Sequence, residues 1–318
     1  MSTHNSEPFL PPELILSIIE CLIPSGTTPI ALPSSHPTTR TFLSLARTSS
    51  ITYPTAHRLL YTHCLWIDNP SRLQLLNDSL TAPPLTNNHA RLLEPILKHI
   101  TSLYISYTTI EDPAPALNLL TLFNHLAPSL RRLVVDMPFR NFDFGDKFNT
   151  QSILQRGFSQ LTALEEFCSV RDELYLDFFN PDNQTSERWR WLVWPKLKTL
   201  ALYNKDVGAE GFWEDVGKLG GLETLVFTRA DGLEEVDMKV EWRRGCEDEK
   251  RGLEVLLVNV ESQHRVPLGK ANWKDEDKVK VREVNVPTSY YGDEDPIMIC
   301  QEWVKRRMLR GEAPVDWT

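Results

Sequence analysis

Apolar positions follow two different periods along the chain, and the change falls near residue 66. Leu14, Ile15, Ile18, Ile19 and Leu22 make one broad apolar face on a helix of about three turns. Pro11-Pro12-Glu13 opens it, because proline needs no N–H in a first turn and Glu13 complements the positive helix end; Pro24 stops it. A second short helix is predicted over Thr41–Ser49, with Phe42, Leu45, Ala46 and Ser49 on one side. A third starts at Pro54 and buries Ala56, Leu59 and Leu60, and Leu65-Trp66-Ile67 reads as a strand. Pro24–Thr39, sixteen residues with four Pro and seven Ser or Thr, is expected to be a disordered surface loop.

Beyond residue 98 a different unit recurs, aliphatic-x-x-aliphatic-x-aliphatic. Its copies are Ile100–Ile105, Leu130–Val135, Leu197–Leu202, Leu222–Phe227, Leu253–Val258 and Val281–Val286, with a weaker copy at Leu164–Ser169 whose last aliphatic is displaced to Val170. The middle aliphatics stand at 103, 133, 167, 200, 225, 256 and 284, in steps of 25 to 34 residues. Alternation over such short segments predicts strands whose aliphatic pair points inward while intervening residues face out. Helical spacing between copies, as at Ala116, Leu119, Leu120 and Phe123 or along Phe212–Leu219, predicts a strand–helix unit that must stack on its neighbours. The outward positions Tyr104, Ser106, Asp136, Tyr203, Thr228, Asn259 and Asn285 are the candidate partner-binding face. A merely solvated sheet, with partners held by loops, is the competing reading. A last helix over 293–310 is capped by Asp295 before Pro296, and Gly311 ends it. Ile297, Cys300, Val304 and Met308 on it are expected to cover the exposed end of the stack.

Four segments follow: a helical module at 9–65, a connector at 66–98, a repeat domain at 99–292, and a capping helix and tail at 293–318. The predicted class is α/β. Charge sharpens this little: 28 of the 34 basic and 37 of the 43 acidic residues lie beyond residue 110, so the repeat region carries the whole net charge of −9. That sign argues against a nucleic-acid partner. No stretch is long and apolar enough for a membrane span, and the polar start shows no secretory signal. Five scattered cysteines without a CxxC pair suit reduced thiols in the cytoplasm, the nucleus or both.

Chemistry-bearing motifs are missing. No GxGxxG, GxxxxGK[ST], HExxH or GxSxG occurs, no cofactor or metal is implied, and no catalytic residue is assigned. His57 and His63 have no carboxylate at ligand spacing. Trp189, Trp191 and Trp194 read as core packing at the edge of the fourth strand, with a partner-binding patch as the alternative.

Two resemblances give these segments a function. Leu10-Pro11-Pro12-Glu13-Leu14 resembles the Leu-Pro-x-Glu-Leu opening of the F-box. Ile15–Leu22 then matches its aliphatic first helix, Phe42–Ser50 its leucine-rich second helix, and Leu60-Tyr-Thr-His-Cys-Leu65 its exit from the third. The resemblance covers about the first fifth of the chain, and the Pro24–Thr39 insertion departs from the family's short turn. The repeat resembles an irregular leucine-rich repeat. Where such repeats carry asparagine five residues after the middle leucine, this chain has Thr108, Pro138, Lys205, Ala230 and Glu261. Together these resemblances imply a non-catalytic substrate receptor of a cullin-RING ubiquitin ligase. Its F-box would dock a Skp-family adaptor through Leu10, Pro11, Leu14, Ile15, Ile18, Ile19 and Leu22 with Phe42 and Leu45, and its repeats would hold an unknown protein substrate. A repeat scaffold unrelated to ubiquitination is the alternative; a hydrolase is disfavoured by the missing motifs.

Overall fold

The computed structural model describes residues 10–23, 31–81, 97–107, 113–139, 149–173, 194–246, 248, 251–274 and 276–317. Three helices open the chain, α1 (Pro12–Glu20), α2 (Pro37–Thr48) and α3 (Tyr53–His63). Their interior is small: Ile19, Phe42 and Leu59 are buried, with Ile15, Leu22, Leu45 and Leu60 packed around them. The expected disordered loop is partly ordered. α2 begins at Pro37, Ala31 is buried, and the Leu32 N–H donates to the His63 carbonyl at 2.7 Å. Residues 24–30 of that stretch lie outside the described residues.

The 66–98 stretch is more than a connector, because it supplies the first strand–helix unit of a sheet: β1 (Trp66–Ile67) and α4 (Pro70–Thr81). There follow β2 (Ser102–Ser106), α5 (Ala114–Leu126), β3 (Arg132–Asp136), α6 (Thr150–Ser159), β4 (Glu166–Ser169), β5 (Thr199–Tyr203), α7 (Phe212–Lys218), β6 (Thr224–Thr228), α8 (Met238–Gly245), β7 (Leu253–Val260), β8 (Val279–Val286) and α9 (Pro296–Leu309). The eight strands pair in sequence order, all parallel. Parallel neighbours need a crossover each time, and crossovers of one hand between sequential strands return on one side. The helices α5 to α8 therefore collect on one face. There Ala116, Leu119, Phe123, Phe158, Val216 and Trp242 pack on the inward strand residues.

Five of the seven predicted repeat markers stand in one paired row: Leu103, Leu133, Phe167, Leu200 and Leu225. A repeated joint holds them in step. The carbonyls of Thr101, Arg131, Glu165 and Lys198 each accept two consecutive N–H groups from the start of the next strand. The device breaks at β7, where Glu254 N–H still reaches the Glu223 carbonyl but Leu253 N–H turns to Lys278. The row continues through Val255 and Val281, not through 256 and 284. A shift of one residue exchanges the faces. Leu256, Val258, Val284 and Val286 thus join a second core, and Asn259 and Asn285 fall out of step with the face predicted for them. In the weaker copy Ser169 keeps the place paired with Val135, and Val170 belongs to the second core rather than replacing it.

That second core corrects the reading of the last helix. Cys300, Val304, Met308 and Leu309 of α9, with Trp317 beyond it, are buried against Tyr104, Val134, Cys168, Ala201, Val226 and Leu256. α9 lies across the face of the sheet that α5 to α8 leave open, instead of closing the end of the stack; Ile297 stays exposed. A parallel sheet is apolar on both faces, and both need cover.

Candidate functional site

On α1 two stripes part company. Ile15, Ile19 and Leu22 turn toward the module interior, whereas Leu10, Leu14 and Ile18, four residues apart, are 53%, 52% and 56% exposed. At 3.6 residues per turn Leu14 and Ile18 lie on one side of the helix, and Leu10 is exposed in the segment that precedes it. Pro11 is exposed beside them. Leu43 on α2, Ile51 before α3 and Tyr53 at its start are exposed as well. The Arg58–Glu20 ion pair at 2.6 Å ties α3 to α1. Of the nine residues expected to face an adaptor, Ile19 and Phe42 are corrected to interior positions. They are buried among the three helices, where with Leu59 they form the small core on which the module closes. Ile15, Leu22 and Leu45 are half-buried at its edge. His57 stacks on Tyr53 and meets Tyr61 edge-on, with ring centroids 4.9 and 4.8 Å away, and burial holds its imidazole below the usual pKa.

The proposed partner face of the sheet is closed. Tyr104, Asp136, Tyr203 and Thr228 are all buried, Ser106 and Asn259 are half-buried, and only Asn285 is exposed. The signal was present in the chain: the residue between the last two aliphatics is Tyr104, Val134, Cys168, Ala201 and Val226 in successive copies, none of them charged. A solvated face would not be so uniformly apolar.

What the sheet face holds instead is an ion cluster around Asp136. Its Oδ2 accepts from the Tyr104 hydroxyl at 2.9 Å and from Lys305 Nζ of α9 at 3.1 Å, and its Oδ1 accepts from Arg171 Nε. Lys305 also pairs with Glu302 at 2.6 Å. Burial pushes the Asp136 carboxyl up, but Lys305 and Arg171 together outweigh it and leave the group below the ordinary carboxylate range. Burial likewise depresses Lys305, yet Glu302 and Asp136 hold its pKa above the usual value. Tyr104 is raised, first by burial and then by the Asp136 charge, and its ring lies 4.0 Å from that of Trp66. Every charge here is matched, which fits a clamp fastening α9 to the sheet better than a reactive centre. Sequence reasoning picked out Asp136 and Tyr104 but not Arg171 or Lys305, whose partners lie 35 and 169 residues away.

At the carboxyl ends of β5 to β7 lies a cavity of about 420 Å3, mostly lined by hydrogen-bonding side chains, among them Arg229, Asn259, Ser262, Gln263 and His264. The apolar Phe227 and Leu257 also line it. Trp194 packs in the core as expected, 4.8 Å from Phe167 by ring centroids, and its indole N–H donates to the Phe158 carbonyl at 2.9 Å. Trp189 and Trp191 lie outside the described residues. Among the described residues no group of three His, Cys, Asp or Glu side chains is placed to hold a metal ion, and no helix is long and apolar enough to cross a membrane. No protein-family model, no curated protein and no solved structure matches the chain.

Proposed function

We propose that the chain is a non-catalytic substrate receptor, an F-box-like module joined to an irregular leucine-rich-repeat-like domain, which brings a protein substrate to a cullin-RING ubiquitin ligase through a Skp-family adaptor. The observation that carries this reading is the exposure of Leu14 and Ile18 on one side of α1, with Leu10 exposed just before it. Among the described residues, Ile19, Phe42 and Leu59 form the module core, and these three side chains, Leu10, Leu14 and Ile18, stay more than half exposed outside it. Apolar side chains aligned in this way on a small helical module favour a partner protein. The docking face on this reading is Leu10, Pro11, Leu14 and Ile18, edged by Ile15, Leu22 and Leu45, with Ile19 and Phe42 supporting it from within. The buried second face of the sheet moves substrate capture to the strand ends and loops.

Co-purification of the chain with a Skp-family adaptor tests this. Ile18→Asp places a carboxylate in this patch at a position more than half exposed, so the fold should survive, while desolvating the charge at an interface costs several kcal/mol. Loss of the complex with an unchanged melting temperature is expected. An Ile18→Asp protein that still co-purifies in full, or a wild-type chain that never does, would leave the scaffold alternative.

A further inference from the structure

Strands β5 and β6 end on the same backbone turn. Tyr203 and Thr228 are paired, and the residues that follow them, Asn204 and Arg229, both have positive φ, 54° and 53°. Asparagine enters this left-handed region readily; for arginine it costs about 1–2 kcal/mol. The Arg229 N–H donates to the Val258 carbonyl at 2.9 Å and holds the turn. Its side chain borders the 420 Å3 cavity, which falls in the range of ligand sites and lies at the carboxyl ends of parallel strands, where open α/β sheets bind ligands.

The surroundings of the Arg229 guanidinium are unusual in charge. Its Nη1 donates to Asn259 Oδ1 at 3.0 Å and to Gln263 Oε1 at 2.6 Å. The Asn259 amide is itself oriented, since its Nδ2 donates to the Gln263 carbonyl and its Oδ1 accepts from the Val260 N–H. Both acceptors are neutral, so they aim the cation without neutralising it. Among the described residues no carboxylate pairs with Arg229. Glu234 is engaged by Arg265, and Asp231 is exposed at the rim with no ion pair to Arg229. The Cys300 thiol of α9 also meets the guanidinium, and among the described residues its remaining N–H groups meet no counter-charge, while Ser262 lines the same cavity. A planar fork held in this way matches a carboxylate bidentately. One uncompensated positive charge with Asp231 and Glu234 nearby suits a monoanion better than a phosphate dianion. Walls that are mostly hydrogen-bonding suit a ligand rich in peptide groups better than an apolar small molecule.

We propose that this cavity is a carboxylate-binding site for an acidic peptide segment of a partner protein, with Arg229 as its anchor and Asn259 and Gln263 as positioning residues. The site stands apart from the adaptor reading, because none of its residues belongs to α1, α2 or α3 and it is tested on the purified full chain alone.

The test uses three acetylated Gly-Ser octapeptides: one with a free terminal carboxylate, one amidated with a central glutamate, and one amidated without any carboxylate. Binding is followed by saturation-transfer NMR up to millimolar peptide. At least one carboxylate peptide should bind at least about tenfold more tightly than the uncharged one, the usual difference between charge-assisted and neutral hydrogen bonding. Which of the two binds identifies the source, a chain end or an acidic side chain. Arg229→Gln should reduce binding to the level of the control peptide. Gln263→Glu, nearly the same shape, places the missing counter-charge beside Arg229 and should abolish binding with no fall in melting temperature. No binding by either carboxylate peptide, equal binding by all three, or unchanged binding in Gln263→Glu would overturn the proposal.

Discussion

Helices α7 and α8 touch backbone to backbone, and a single methyl group measures how much of the fold depends on it. A Cβ built on Gly217 would stand 2.0 Å from the Gly245 carbonyl oxygen and 2.4 Å from its carbon; one on Gly245 would stand 2.3 Å from the Trp213 oxygen. Ordinary contact begins near 3.4 Å, so alanine at 217 must part the helices by roughly 1.4 Å. The obstacle is backbone and cannot rotate away. Parting the pair loosens Phe212, Trp213 and Val216 of α7 against Met238 and Trp242 of α8, all in the main core. Overpacking against a rigid neighbour costs up to about 3 kcal/mol, and replacing a helical glycine returns about 0.5–1 kcal/mol. A net loss of about 2 kcal/mol lowers the melting temperature of a domain this size by roughly 4–8 °C. Gly220, with nothing within 4 Å of its added Cβ, is the control: Gly220→Ala should leave stability unchanged or slightly raised. Scanning calorimetry of the two variants decides the matter. A Gly217→Ala protein melting at or above the wild type would refute the close approach and the α7–α8 packing that rests on it.

Two further outcomes follow from α9. Because the folded Asp136 carboxyl lies below its ordinary pKa, it contributes stability above the unfolded carboxylate range and loses it as pH falls through the folded value. Urea midpoints should therefore drop more steeply below about pH 4 for the wild type than for Asp136→Asn, which should be less stable at neutral pH; parallel curves would remove the charge from the clamp. Deleting 293–318 strips the cover from Val134, Cys168, Ala201, Val226 and Leu256, so light scattering should report association; a truncated chain that stays monomeric with unchanged melting would contradict the second core.

Much of the architecture was legible before any coordinate. Local spacing suffices for α1, for α5 from Ala116, Leu119 and Phe123, and for α9 with its Asp295 cap and the Gly311 that follows it. The row of Leu103, Leu133, Phe167, Leu200 and Leu225 was visible because each copy pairs with the next in the same way. The order of the strands and their common direction follow from that repetition, since sequential parallel pairing is the simplest way to stack identical units. Leu14 and Ile18 belong to the apolar face that the spacing of α1 showed, but the same periodicity could not tell their exposed positions from the buried Ile19.

Tertiary contact decided the rest. That β7 continues the row at Val255 and not at Leu256 is set by its pairing with β6 and β8 along the strand, and the aliphatic run Val255–Val258 offers no local preference between the two registers. Where α9 docks depends on Lys305 meeting Asp136 across 169 residues, a distance over which no spacing rule operates. The guanidinium of Arg229 acquires its setting from Asn259 and Gln263 some thirty residues on, so its lack of a counter-charge is a property of the folded strand ends. Sequence patterns specify which residues are apolar and at what period; burial of both sheet faces, register and charge pairing are settled only when distant segments compete for the same surface.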